Sequence, residues 1–204
     1  MGLDMSLGKQ AKVLTKQQID LVYSSLSLTQ DIPRNRLIFL LSTKAGLRAK
    51  EIADLRWSMV LDADGQVVDQ LSLENSASKG QSGRIIPLNR QLKMQLVESL
   101  KIASVGSTSA SLHKSRIIRT QRGNGTSAQV IVNMFQSWYA KAGLFGCSSH
   151  SGRRTFITNA ARRISTVGGS LRDVQFLAGH SSLQTTQRYI DGDSEARRKV
   201  VDLI

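Results

Sequence analysis

Two imidazoles, a guanidinium and a phenol fall between residues 150 and 189 in two short runs. In His150-Ser151-Gly152-Arg153-Arg154 an arginine follows its histidine by three positions. In Gly179-His180-Ser181-Ser182-Leu183-Gln184-Thr185-Thr186-Gln187-Arg188-Tyr189 a tyrosine follows its histidine by nine. No cluster of carboxylates or cysteines accompanies them, so the pattern implies neither a metal nor a cofactor. A phenol can attack a phosphodiester and keep the bond energy as a phosphotyrosine ester. Guanidiniums then neutralise the non-bridging oxygens, and a proton donor meets the departing oxygen. Each residue also has a plainer reading alone: His150 as a helix start, His180 as a cap or core imidazole, Tyr189 as a core aromatic. Their joint occurrence in this order favours the chemical reading.

Composition agrees with a polyanionic partner. The chain has 204 residues, with 28 Lys and Arg against 15 Asp and Glu, for a net charge of +13. Its basic residues are spread along the chain and form no long basic amphipathic helix. That favours nucleic acid over an anionic membrane, with basicity for solubility as the bland alternative. No apolar run approaches the roughly 20 residues that span a bilayer, and no signal-peptide pattern opens the chain, so no membrane association is expected. Met1-Gly2-Leu3-Asp4-Met5-Ser6 fits a short myristoylation pattern, weighed against a common start-codon glycine. Cys147 is the sole cysteine. An intrachain disulfide is thereby excluded, and a cytoplasmic setting, nucleoid-associated when bound to DNA, is expected. A Cys147/His150 nucleophile pair is the alternative to a small buried apolar cysteine.

The elements that must position these groups can be read from caps and periodicity. Residues 1–12 read as a flexible tail. Thr15-Lys16-Gln17-Gln18 is a capping box, with Ile19, Val22 and Leu26 following at helical spacing. Pro33 starts a helix with Leu37, Ile38, Leu40 and Leu41 inward, closed by Gly46, and a third helix is expected from about Ala49 to Trp57. Val60-Leu61, Val67 to Leu73 and Ile85 to Leu88 read as three short antiparallel strands, with a turn at Asp64-Gly65 and a mobile tip over residues 76–83. Leu92 to Ile102 returns to helix until the Gly/Ser-rich stretch 104–111. A loop follows with Lys114, Arg116, Arg119 and Arg122. With Arg154, these are candidate DNA contacts, though a solvated charge cluster fits the loop nearly as well. Ser127 caps a helix whose Val130, Ile131, Met134, Phe135 and Trp138 read as core. Residues 151–164 form another, Ser170 and Asp173 cap the next, and a last helix carries Tyr189. The fold class is mixed, mainly α with a small antiparallel three-stranded β-sheet.

The two C-terminal runs resemble the signature boxes of the tyrosine recombinases, the phage-integrase family. Gly46-Leu47-Arg48-Ala49-Lys50-Glu51-Ile52-Ala53-Asp54-Leu55-Arg56-Trp57 resembles its first arginine box. Ser78-Lys79-Gly80, ahead of Arg84-Ile85-Ile86-Pro87-Leu88, resembles its lysine hairpin. The resemblance implies a catalytic domain over residues 13–193 that cleaves and rejoins DNA through a 3′-phosphotyrosine. It implies that Arg48 and Arg153 clamp the scissile phosphate, Glu51 orients Arg48, Lys79 protonates the leaving 5′ hydroxyl, His150 and His180 assist, and Tyr189 attacks. Alone, Arg48 would pair with Glu51 at the surface and Lys79 would be a solvated hairpin tip.

Gly152 stands where the family more often has a large apolar residue, which predicts a looser turn with the His-x-x-Arg spacing kept. Relatives also carry a separate helical DNA-clamping domain ahead of the catalytic one. Residues 1–12 are too short for one, so the chain reads as either an isolated catalytic domain or a compact member, and weak DNA affinity is expected of it alone. The resemblance further implies a tetramer on two double-stranded DNA sites. Residues 194–204, with Val200, Val201, Leu203 and Ile204, would dock on a neighbour or fold back on their own domain. The alternatives in function are relaxation of DNA like a type IB topoisomerase, and a recombinase-derived DNA-binding regulator without catalysis.

Overall fold

The computed structural model describes residues 11–77, 83–120, 123, 125–191, 198, 201, 202 and 204. Lys79, Arg122, most of the N-terminal tail and most of residues 194–204 lie outside the described residues. The described chain is mainly helical: α1 Lys16–Ser25, α2 Ile32–Ala45, α3 Ala49–Asp54, β1 Gln70–Leu73, β2 Arg84–Pro87, α4 Arg90–Ser104, α5 Ser109–Lys114, α6 Ala128–Lys141, α7 Ser151–Arg163, α8 Leu171–Ala178 and α9 Leu183–Asp191.

The helix starts are chemical. At Thr15 the side chain accepts from the Gln18 amide while the Gln18 side chain accepts from the Thr15 amide, and Ser170 and Asp173 make a box of the same kind. Asp31 accepts from the Arg34 amide ahead of Pro33, and Ser127 accepts from the Val130 amide. Helix α2 is buried on every side, with Leu37, Ile38, Phe39, Leu40 and Leu41 each at most 1% exposed. It packs on α4 and α7 as the central rod of the main core. That core includes Ile52, Leu55, Trp57, Leu71, Ile86, Leu92, Leu96, Phe135 and Tyr139. A second, smaller cluster of Ile157, Val174 and Ala178, with Phe156, Ala160, Leu171 and Tyr189 against it, joins α7, α8 and α9.

Three expectations change. The sheet has two strands, β1 antiparallel to β2 with Leu71 opposite Ile86. The expected third strand reduces to a single bridge between Leu61 and Val67. A 3₁₀ turn at Trp57–Met59 runs straight into it, and Asp62 gathers the Asp64 and Gln66 amides into a tight turn, leaving no length for a ladder. Helix α3 stops at Asp54 because the next residues pair elsewhere. The Leu55 carbonyl accepts from the Ile117 amide (2.9 Å) and the Trp57 amide donates to the Ser115 carbonyl (3.1 Å). The basic loop expected after residue 104 contains α5, capped by Thr108 and anchored by the buried Leu112.

Gly152 tightens its turn. A Cβ placed there would stand 2.4 Å from Ser42 Oγ and 3.1 Å from both Ser42 Cβ and Thr43 Cγ2. The first turn of α7 thus lies directly on α2, an approach that a side chain forbids. Gly152→Leu, the family's more common kind of residue, is therefore expected to destabilise the domain by roughly 1–3 kcal/mol through overpacking. Urea unfolding checks this, and an unchanged midpoint would refute the contact.

Candidate active site

The site is assembled where the first turn of α7, the start of α3 and the end of α8 converge. Arg153 is 3% exposed. Its guanidinium donates to the Gly46 carbonyl after α2 and to the Ala178 carbonyl at the end of α8, both at 2.6 Å. The Ala178 carbonyl is the last of α8, where the negative end of the helix dipole lies, and the Gly46 carbonyl belongs to the left-handed residue that ends α2. Burial first, then Arg48 and Arg84, pull the Arg153 pKa down to about 10 against the opposing pull of Glu51 and Tyr189, so it remains a cation at neutral pH.

Arg48 is the N-cap of α3, and Glu51 one turn later is fully buried. Glu51 Oε2 accepts from the Arg48 amide and Oε1 from Arg48 Nη1, each at 2.8 Å. A second cation shares the carboxylate: Arg84 Nη1 and Nη2 reach Oε1 and Oε2 at 3.0 and 3.1 Å, and Arg84 Nε donates to the Leu177 carbonyl at 2.9 Å. Burial, the largest single influence, would raise the Glu51 pKa. The hydrogen bonds and charges of Arg84, then Arg48, outweigh it and hold the carboxyl below its usual range. Arg84 is the site residue that the sequence reading missed. A carboxylate one turn into a helix flanked by Ile52, Ala53 and Leu55 needs more than one exposed arginine to be buried, and the arginine opening the Arg84-Ile85-Ile86-Pro87 strand was the available partner.

Gly179 ends α8 in the left-handed region at φ +61°, which turns the chain so that His180 enters the site. A Cβ at Gly179 would meet Arg84 Nη1 at 2.8 Å. His180 Nδ1 lies 3.0 Å from the buried Thr186 Oγ1, one ring nitrogen thus being fixed by α9. The His180 and Tyr189 rings stack at 5.3 Å and 25°, and the Arg154 guanidinium stands 5.8 Å from the Tyr189 ring centre. Burial, then Arg153, Arg48 and Arg84, lower the His180 pKa to about 4. His150, at the head of α7, is also lowered, by burial and then by Arg153 and Arg48. A cleft of about 290 Å³ opens here, lined by His150, Arg153, Arg154, Thr185, Arg188 and Tyr189.

The structure therefore brings together Arg48, Glu51, His150, Arg153, Arg154, His180 and Tyr189. The candidates of the basic loop lie elsewhere. Arg116 is committed to Asp54 (2.9 Å) and to the Thr126 carbonyl (3.2 Å), Arg119 Nε donates to the Arg116 carbonyl, and the Lys114 side chain is exposed. Among the described residues no group of three or more His, Cys, Asp or Glu could hold a metal ion, and no helix is long and apolar enough to cross a membrane.

A cationic cradle beneath a stacked histidine and tyrosine, on a mainly helical domain with a small antiparallel sheet, defines a family that comparison identifies. The chain belongs to the phage integrase family, whose model matches residues 12–196. It is 30% identical over 161 residues to tyrosine recombinase XerC of Lactobacillus leichmannii, covering 76% of this chain and 50% of that protein. It is 26% identical over 196 residues to tyrosine recombinase XerA of Pyrococcus horikoshii, covering 94% of this chain and 60% of the relative. The chain thus spans between half and two thirds of the length of these curated relatives. The fold is shared with a crystal structure of XerA recombinase (TM-score 0.73, 22% identity, 94% of this chain and 64% of that one). It is also shared with a post-cleavage complex of XerH site-specific recombinase on palindromic difH DNA (TM-score 0.71, 19% identity, 93% and 51%).

Acid should weaken this site in two ways. His180 has a folded pKa of about 4 against 6.5 unfolded, so the unfolded chain takes up the proton first and stability falls as pH drops from 6.5 to about 4. Glu51, depressed in the fold, adds a loss that begins near its ordinary value of 4.5 and continues through its lowered folded value. The His180 ring is expected to titrate near pH 4 by NMR; a midpoint near 6.5 would contradict the burial and charge described. Glu51→Gln, which leaves buried guanidiniums without their carboxylate, is expected to cost about 3–5 kcal/mol in urea unfolding.

Proposed function

We propose that this domain is the catalytic part of a site-specific recombinase that cleaves and rejoins double-stranded DNA through a phosphotyrosine. The meeting of Tyr189, His150, Arg153 and Arg154 on one cleft, with His180 stacked on Tyr189 and Arg48 held by Glu51, carries the reading. In the forward step the Tyr189 oxygen forms a bond to phosphorus, the bond from phosphorus to the 5′ oxygen breaks, and that oxygen takes up a proton. Arg48 and Arg153 stabilise the charge on the non-bridging oxygens, and Lys79 supplies the proton to the 5′ oxygen. His180, neutral at physiological pH, and His150 hydrogen-bond the phosphate or take up the phenolic proton. The reverse of the same step, with another strand's 5′ hydroxyl as nucleophile, rejoins the DNA.

The named relatives are tyrosine recombinases, and one neighbour of the same fold was solved on its DNA site. These support DNA as the partner; in this reading Arg154 and Arg188, which line the cleft, meet the backbone beside the scissile phosphate. A tetramer on two DNA sites, with residues 194–204 docking on the neighbouring protomer, completes the reading.

The test is covalent trapping on a pool of nicked duplexes with randomised sequence around the nick. The parent chain is expected to form an adduct that survives denaturing electrophoresis, and Tyr189→Phe to form none. An adduct persisting in that variant would remove Tyr189 as nucleophile. Deleting residues 194–204 is expected to keep the adduct and impair assembly on DNA, read by sedimentation; unchanged assembly would discard the docking role.

A further inference from the structure

Four charged side chains form the floor of the site: Arg48, Arg84 and Arg153 against the single carboxylate of Glu51. Arg84 is 5% exposed and Glu51 is 0% exposed, whereas Arg48 is 23% exposed. The buried pair is thus Glu51 with Arg84, which covers both carboxylate oxygens at 3.0 and 3.1 Å. Arg48 shares one of these oxygens from the more open side. The distinction matters because a carboxylate facing one arginine cancels it, whereas a carboxylate held between two leaves a net positive charge. With Arg84 present the four groups sum to two positive charges, and without it to one.

We propose that Arg84 is a positioning residue that sets the charge presented to a phosphate: by matching Glu51 from beneath, it frees the positive charge of Arg48 for the cleft. Its bond to the Leu177 carbonyl holds it in that place and ties β2 to the turn that delivers His180. Glu51 can then orient Arg48 through two hydrogen bonds without neutralising it. The lowered pKa of His180, owed first to burial and then to Arg153, Arg48 and Arg84, is in keeping with an excess of positive charge at this point. The assignment rests on the proposed function only in taking the cleft as a phosphate site.

The test uses the whole chain, with inorganic phosphate as the probe and the His180 ring signals in NMR as the readout. The parent is expected to bind phosphate saturably at low salt. Arg84→Met leaves Glu51 opposite Arg48 alone, so phosphate affinity is expected to fall roughly tenfold and the His180 midpoint to rise above about 4. Adding Glu51→Gln to that change removes the carboxylate as well and returns the sum to two positive charges. Both readouts are therefore expected to return close to the parent's, which a merely structural role for Arg84 does not predict. Replacing both members of a buried pair by neutral groups is often tolerated, so the double variant decides even where the single one does not fold. The assignment is overturned by a parent that binds no phosphate, by an Arg84→Met chain that binds it as the parent does, or by a double variant that remains roughly tenfold weaker than the parent. Phosphate results as expected, without a covalent adduct on the randomised duplexes, would sink strand cleavage and leave the role of Arg84 standing.

Discussion

A single guanidinium joins the two halves of this domain. Arg153 leaves the first turn of α7 and binds the Gly46 carbonyl behind α2 and the Ala178 carbonyl at the end of α8. The first belongs to the end of the central helix of the main core, and the second to the small cluster under α9. Apolar packing alone gives these clusters no fixed angle, because burial is roughly proportional to area and has no direction. Two short bonds from a rigid, planar donor do fix an angle. The group that stabilises the seam is also the one whose charge reaches the cleft, so structural and chemical demands fall on the same side chain.

The surrounding electrostatics follow from that placement. A buried cation is costly unless its donors are satisfied, and helix-terminal carbonyls satisfy Arg153 without cancelling its charge. Glu51 receives bonds from Arg48 and Arg84 instead. The result is a positively charged pocket in which the pKa values of both His150 and His180 are held below the ordinary imidazole value. A neutral imidazole can accept or donate a proton, which an imidazolium fixed by a neighbouring carboxylate cannot do as freely.

Much of this was legible in the sequence, for identifiable reasons. Thr15, Ser127 and Ser170 announce their helices because a cap acts over three residues, within reach of a local reading, and Pro33 marks the start of α2 for its fixed backbone angle. The grouping of Arg48, His150, Arg153, His180 and Tyr189 was visible only through motif order, since α2 and α7 bring residues a hundred positions apart into contact. Tertiary pairing was not visible. Leu55 and Trp57 pair with residues 115–117 rather than extending α3, and the same pairing draws Arg116 onto Asp54, away from the open basic surface the sequence implied. Arg84 was hidden for a related reason: its role depends on Glu51 having no exposed surface, a property of the assembled fold.

The helix that bears Tyr189 is held differently from the rest. Among the described side chains of α9 only Thr186 is fully buried, and Tyr189 rests at the edge of the small cluster, outside the main core around α2. This helix is held by its packing on α7 and α8, by the His180 stack and by the Thr186 bond, and not by the main core. An element outside the main core opens at lower cost than the core itself, so in hydrogen-exchange terms α9 is expected to open before α2. The residue proposed to break DNA thus sits on an element outside the main core, apart from the Gly46 and Ala178 carbonyls that fix Arg153 in the cationic cradle.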